Sequence, residues 1–148
     1  LSEDIEARRH WMGLLARSSH DAIQARLHDA PPLPTHSRLR GPETGLVMLR
    51  GRAGGDGGAF NLSEMTVTRC AVTLEDGTVG HAYVAGRDRQ QAELAAVLDA
   101  ALQNATLRPA LMSTVIEPLA AQEAEHRARE ARKAAATRVQ FFTMANMR

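Results

Sequence analysis

Two glycine-bearing stretches of this chain have the residue types to hold an anion. Gly54-Gly55-Asp56-Gly57-Gly58 follows Arg50 and Arg52 and offers closely spaced backbone N–H groups. A nucleotide-binding P-loop requires Gly-Lys-Ser/Thr ahead of a helix, whereas this loop carries Asp56 and runs into a predicted strand. It therefore reads as a strand connection or a partner-contact loop. Gly86-Arg87-Asp88 stands at a predicted strand-to-helix junction. The first helical N–H groups could hold an anion there with Arg87 as counter-charge; equally, the segment could be a tight turn followed by an Asp88 N-cap. Arg69, a cation on a strand with small and apolar neighbours, completes this candidate set for anion or partner contact.

Other constellations point away from chemistry. Glu123-x-x-His126 has the helical spacing of a di-iron half-site, but such a site needs the motif twice plus two more glutamates, so a solvated helix face is the better reading. The six histidines show no HExxH spacing and no Cys–His zinc set exists, so no metal is expected on this chain. Ser63, Thr66 and Thr68 lie outside any Gly-x-Ser-x-Gly elbow. Cys70, on a strand beside Tyr83, reads as a small buried hydrophobe rather than a nucleophile. No catalytic residue is assigned.

The elements that would position these groups predict an α+β domain spanning residues 1–148, with a small antiparallel sheet. Glu3 to Ala16 patterns as an amphipathic helix carrying Ile5, Trp11, Met12, Leu14 and Leu15. Ser18 or Ser19 can cap a second short helix that buries Ile23 and Leu27 before Pro31-Pro32. Residues 31–42 read as a Pro/His/Arg loop, and Gly45 to Leu49 as a short buried strand. A central hairpin, about 64–85, is the clearest element. Asp76-Gly77 signals a two-residue type I′ turn, which would set Leu74 opposite Val79, Val72 opposite His81 and Cys70 opposite Tyr83. Gly80, Ala82, Val84 and Arg69 would share the other face, where small residues let a helix lie close. Asp88 with Gln91 forms a capping box for a helix over about 89–103 that buries Leu94, Val97, Leu98 and Leu102. Pro118 opens a long last helix whose stripe is nearly all alanine. Such a stripe packs closely but contributes little apolar area, so the helix depends on a neighbour. Beyond it, Phe141, Phe142 and Met144 suit an interface anchor in a tail over residues 140–148.

Charge and composition exclude several classes. Eighteen basic against 17 acidic side chains give a net charge of +1, which argues against nucleic acid as partner. No apolar run approaches the ~20 residues of a membrane span. One cysteine precludes an intrachain disulfide and fits a reducing compartment, so a cytoplasmic location is expected.

The chain is identified as similar to the PhnG family, the PhnG subunit of the bacterial carbon–phosphorus lyase core complex. The likeness is carried by His10-Trp11-Met12, Glu43-Thr44-Gly45-Leu46-Val47, the Gly-Gly loop, Thr66-Val67-Thr68-Arg69, Asp76-Gly77-Thr78, Gly86-Arg87-Asp88 and the ending Arg138-Val139-Gln140-Phe141-Phe142-Thr143-Met144. The resemblance implies a complex with PhnH, PhnI and PhnJ, and self-association within it. It also implies a role in making α-D-ribose 1-methylphosphonate 5-triphosphate from ATP and methylphosphonate during phosphonate catabolism. ATP with Mg would serve the complex, and an iron–sulfur cluster with S-adenosylmethionine would sit on a partner subunit. This chain would bind no cofactor and would be a non-catalytic subunit. A small stand-alone nucleotide- or phosphate-binding protein or enzyme is the alternative.

Overall fold

The computed structural model describes residues 1–139. Helices α1 (Ser2–Arg17) and α2 (His20–Leu27) precede three strands, β1 (His36–Arg52), β2 (Ala59–Leu74) and β3 (Val79–Ala85). Then come α3 (Arg89–Leu102), α4 (Arg108–Leu111), a π-helical turn over Met112–Ile116, and α5 (Glu117–Ala136). The strands form an antiparallel sheet in the order β1-β2-β3, giving the expected α+β class. The core lies between one sheet face and the helices, and is built around Trp11, Leu14, Leu15, Ile23, Val72, Val84, Leu98, Leu102, Leu111 and Ile116. Ile5, expected inside, is 59% exposed.

The hairpin forms, but one residue out of the expected register. Val72 lies opposite Gly80, Cys70 opposite Ala82 and Arg69 opposite Tyr83. The turn has three residues: the Leu74 N–H donates to Thr78 O at 2.9 Å, and the Gly77 N–H to Leu74 O at 3.0 Å. Gly77 takes φ +85° while no described non-glycine residue has positive φ, which rules out type I′ at Asp76. A type I turn closed by a left-handed glycine is the common three-residue solution. Thr78 N–H donating to Asp76 Oδ1 at 2.9 Å holds it. Because side chains alternate, the shift turns β3 over. Gly80, Ala82 and Val84 join Thr68, Cys70, Val72 and Leu74 on the buried face, and Arg69, His81 and Tyr83 face outward.

Residues 36–42 belong to β1 rather than to a loop. Pro42 is tolerated because β1 is an edge strand and pairing shifts register between Arg40 and Glu43. Gly80 is where α3 lies closest: a Cβ there would stand 2.0 Å from Ala96 O. Asp88 caps α3 as expected, accepting from Gln91 N–H at 2.9 Å. The capping box is not completed, however. The Gln91 side-chain amide instead donates to Leu15 O, Ala16 O and Ser18 O, tying the end of α1 to α3. Ser19 caps α2 through Ala22 N–H. In the last helical run, the Glu117 N–H reaches back five residues to Met112 O. That π step falls just before Pro118, which has no N–H of its own, and Ser113 and Thr114 hydroxyls donate to Ala110 O. From Ala121 onward α5 is almost wholly exposed.

Candidate functional site

Three sequence motifs meet at one point of the sheet. β1 and β2 pair Glu43 with Arg69, Thr44 with Thr68, Gly45 with Val67 and Leu46 with Thr66. Beyond the end of β3, Gly86 N–H donates to Thr66 O at 2.9 Å and Gly86 O accepts from Thr68 Oγ1 at 2.7 Å. Thr68 is fully buried and its hydroxyl also meets Thr44 Oγ1 at 3.1 Å. Gly86 has φ +95°, a left-handed conformation that glycine adopts without steric cost. Residues 43–47, 66–69 and 86–88 thus form a single joint, in which the threonine hydroxyls bind the chain as it leaves β3 for α3.

On the outer face of this joint, Arg69 Nε and Nη2 donate to Glu43 Oε2 at 3.3 and 3.2 Å. Arg69, Tyr83, Val67, Val47 and Glu43 line an open groove of about 250 Å³. Arg87 is exposed, and the Asp88 carboxylate occupies the start of α3 by capping it. Arg69 lies opposite Tyr83, three residues along β2 from the Thr66 that holds Gly86, and its guanidinium is engaged by Glu43, so the structure does not bring it together with Arg87 and Asp88. The Gly54–Gly58 loop lies at the far tip of the β1–β2 ribbon, with Gly54 and Gly55 at φ +65° and +83°. Phe141, Phe142 and Met144 fall outside the described residues.

Other titratable groups are tied into structure. Asp99 is fully buried on α3. It accepts Arg8 Nε at 3.1 Å and Nη2 at 2.8 Å, Trp11 Nε1 at 2.9 Å and His81 N–H at 2.9 Å. This joins α1, β3 and α3 with every neighbour a donor, as a buried carboxylate requires. The hydrogen bonds to Asp99 raise the Arg8 guanidinium further above its ordinary value. Arg108 lies over the Trp11 ring, 5.5 Å from its centroid. Sequence reasoning missed this node; the available signal was a lone carboxylate between Leu98 and Ala100 on an apolar helix face. Glu93 receives Arg38 through both oxygens and His36 at 3.2 Å, and the Arg38 hydrogen bond chiefly pulls its carboxyl below the usual range. Glu123 binds Arg17 and Arg127 instead of forming a metal half-site with His126. Among the described residues, no group of three or more His, Cys, Asp or Glu is placed to hold a metal ion. Cys70 is buried opposite Ala82, its thiol donating to Arg40 O at 3.4 Å, and burial pushes its pKa up. A buried, protonated thiol is a poor nucleophile. Among the described residues, no helix is long and apolar enough to cross a membrane.

The family model for the phosphonate metabolism protein PhnG matches residues 6–146. The chain belongs to the PhnG family. It is 44% identical over 140 residues to the α-D-ribose 1-methylphosphonate 5-triphosphate synthase subunit PhnG of Rhizobium meliloti (strain 1021), covering 95% of this chain and 89% of that protein. Both matches take in the joint built by residues 43–47, 66–69 and 86–88, which for this PhnG-family chain is the candidate functional locus.

Proposed function

We propose that this chain is a non-catalytic subunit of an α-D-ribose 1-methylphosphonate 5-triphosphate synthase acting in phosphonate catabolism. The observation that carries the reading is the match to a named synthase subunit over 95% of the chain. The side-chain chemistry supports it: the most buried carboxylate serves α1 and β3, the thiol is buried, and Glu93 and Glu123 are bound by arginines. Such groups hold a fold together and leave no convergent base, nucleophile and electrophile among the described residues.

The partners in this reading are PhnH, PhnI and PhnJ, with more than one copy of this chain in the assembly. ATP with Mg is the assembly's substrate, and the iron–sulfur cluster and S-adenosylmethionine belong to a partner; the assembly works in the cytoplasm. We place Arg69, Gly86, Arg87 and Asp88 at a subunit contact rather than an anion site, because Asp88 already fills the helix start and Glu43 already faces Arg69. Phe141, Phe142 and Met144 anchor the chain's end to a neighbour. Tagging the chain in its native cell and identifying co-purifying proteins tests the assembly. The isolated chain should release no adenine from ATP with methylphosphonate. Catalysis by the chain alone, with contaminating nucleosidase excluded, refutes the non-catalytic role.

A further inference from the structure

The β1–β2 ribbon outgrows the rest of the sheet. β3 ends where Ala85 pairs with Val67, and the chain turns away at Gly86. Strand β2 continues from Thr66 down to Ala59, paired only with β1. At ~3.4 Å per residue this leaves roughly 25 Å of β2 edge open on the side that β3 vacates. An isolated two-stranded ribbon is marginal in water. This one is also apolar on both faces: Leu46 is 65% exposed, Val47 42%, Met48 52%, Leu49 38%, Phe60 43% and Leu62 63%. Exposed apolar side chains gathered on one projection mark an interaction surface. Edge strands are ordinarily guarded by lysine, proline or inward charge, and along Ala59–Thr66 the only charge is Glu64.

Resting on the reading of this chain as a subunit, we propose that another polypeptide of the assembly docks here. It adds an extended apolar strand along the free β2 edge beyond β3 and brings carboxylates to Arg50 and Arg52 at the ribbon's tip. Main-chain hydrogen bonds give such strand addition its affinity and alternate side chains its specificity. A second copy of this chain fits less well. The pairing shift beside Leu49 inserts an extra residue in β2 at Leu62, and Phe60 and Leu62 both stand over Gly51. Phe60 and Glu64, opposite Met48, therefore point to different faces, so a two-fold pairing centred on Leu62 would set mismatched faces against each other. Antiparallel self-pairing would also bring Arg50 and Arg52 to the ribbon's base, where Glu43 is already engaged by Arg69 and Arg40.

The test compares backbone amide hydrogen exchange in the purified chain and in the assembly isolated from the native cell through a tag on this chain. Within residues 59–66, the amides that point away from β1 to the free edge should exchange rapidly in the chain alone and at least tenfold more slowly in the assembly; those bonded to β1 are protected in both. Phe60→Asp with Leu62→Asp should weaken association about thirtyfold or more, while Ile5→Asp, equally exposed on α1, leaves it unchanged. Concentration-dependent protection in the chain alone would overturn the proposal in favour of a second copy, and concentration-independent protection in favour of the chain's own covering segment. An assembly that forms with these amides still unprotected defeats the docking surface but not the subunit role. A chain that brings down no other subunit defeats the subunit role, and the proposal falls with it.

Discussion

Gly80→Ala is the sharpest test of how helix and sheet meet. The new Cβ would stand 2.0 Å from Ala96 O, 2.7 Å from Ala100 N and 2.8 Å from Ala100 Cβ. A carbon–oxygen contact needs about 3.3 Å, so α3 and β3 must part by roughly 1.3 Å. None of the three opposing atoms can move by changing rotamer. Parting the layers loosens Ala96, Ala100, Val97 and Leu98, all at most 3% exposed, and a gap of 0.5–1 Å already forfeits about a quarter to a half of each contact's attraction. Overpacking costs about 1–3 kcal/mol, and the backbone shift puts this case at about 3. Guanidinium unfolding followed by circular dichroism at fixed m should show that loss, with a Tm lower by roughly 6–12 °C. Gly41→Ala, which meets nothing within 4 Å, should stay within about 0.5 kcal/mol. Adding Ala100→Gly should recover little, since the two closest atoms are main chain. A Gly80→Ala chain as stable as the parent would refute the close approach.

Asp99→Asn should destabilise by about 2–5 kcal/mol in the same unfolding assay, because an amide N–H would replace an acceptor facing only donors; a near-neutral result would mean the node is not formed. Glu93 has a folded-state pKa below its ordinary value of 4.5, so its contribution is fully present above that pH and is lost as pH falls through the lower folded value. The denaturation midpoint should therefore drop on acidification below about pH 5, and the drop should shrink in Glu93→Gln; an unaltered pH dependence would contradict the Arg38–Glu93 pairing. Cys70→Ala should cost roughly 1 kcal/mol and leave assembly intact, read by unfolding and co-purification.

Much of the fold was legible because local signals and packing agreed. Ser19, Asp88 and the apolar stripe Val97, Leu98 and Leu102 behave as their spacing implies. The turn at Asp76-Gly77 was placed correctly but misread by one residue, since the same dipeptide serves a two-residue turn and a three-residue one, and only the helix pressing on Gly80 selects the face. Strand content in residues 36–42 was hidden by Pro42, which an edge strand tolerates. At the candidate site, Arg69 and Gly86-Arg87-Asp88 were visible as motifs. Their shared joint was not, because Thr44 and Thr68 meet only through β1–β2 pairing. Asp99 escaped because nothing local distinguishes a buried carboxylate from a solvated one until Arg8 and Trp11 arrive from the other end of the chain.

The π turn at Met112–Ile116 has a consequence for how this chain can tolerate length change. One extra residue within a helix advances everything after it by about 100°, the angular step of a single position. Leu119, which is buried, and Glu123, which accepts from Arg17, both lie beyond that advance. Deleting any one residue of the turn would restore ordinary helical bonding while rotating the whole exposed length of α5 about its axis. The projecting helix would then present a different stripe to whatever lies beside it, with no residue on that stripe changed. The turn sets the angle of the last helix as a key's notch sets a lock.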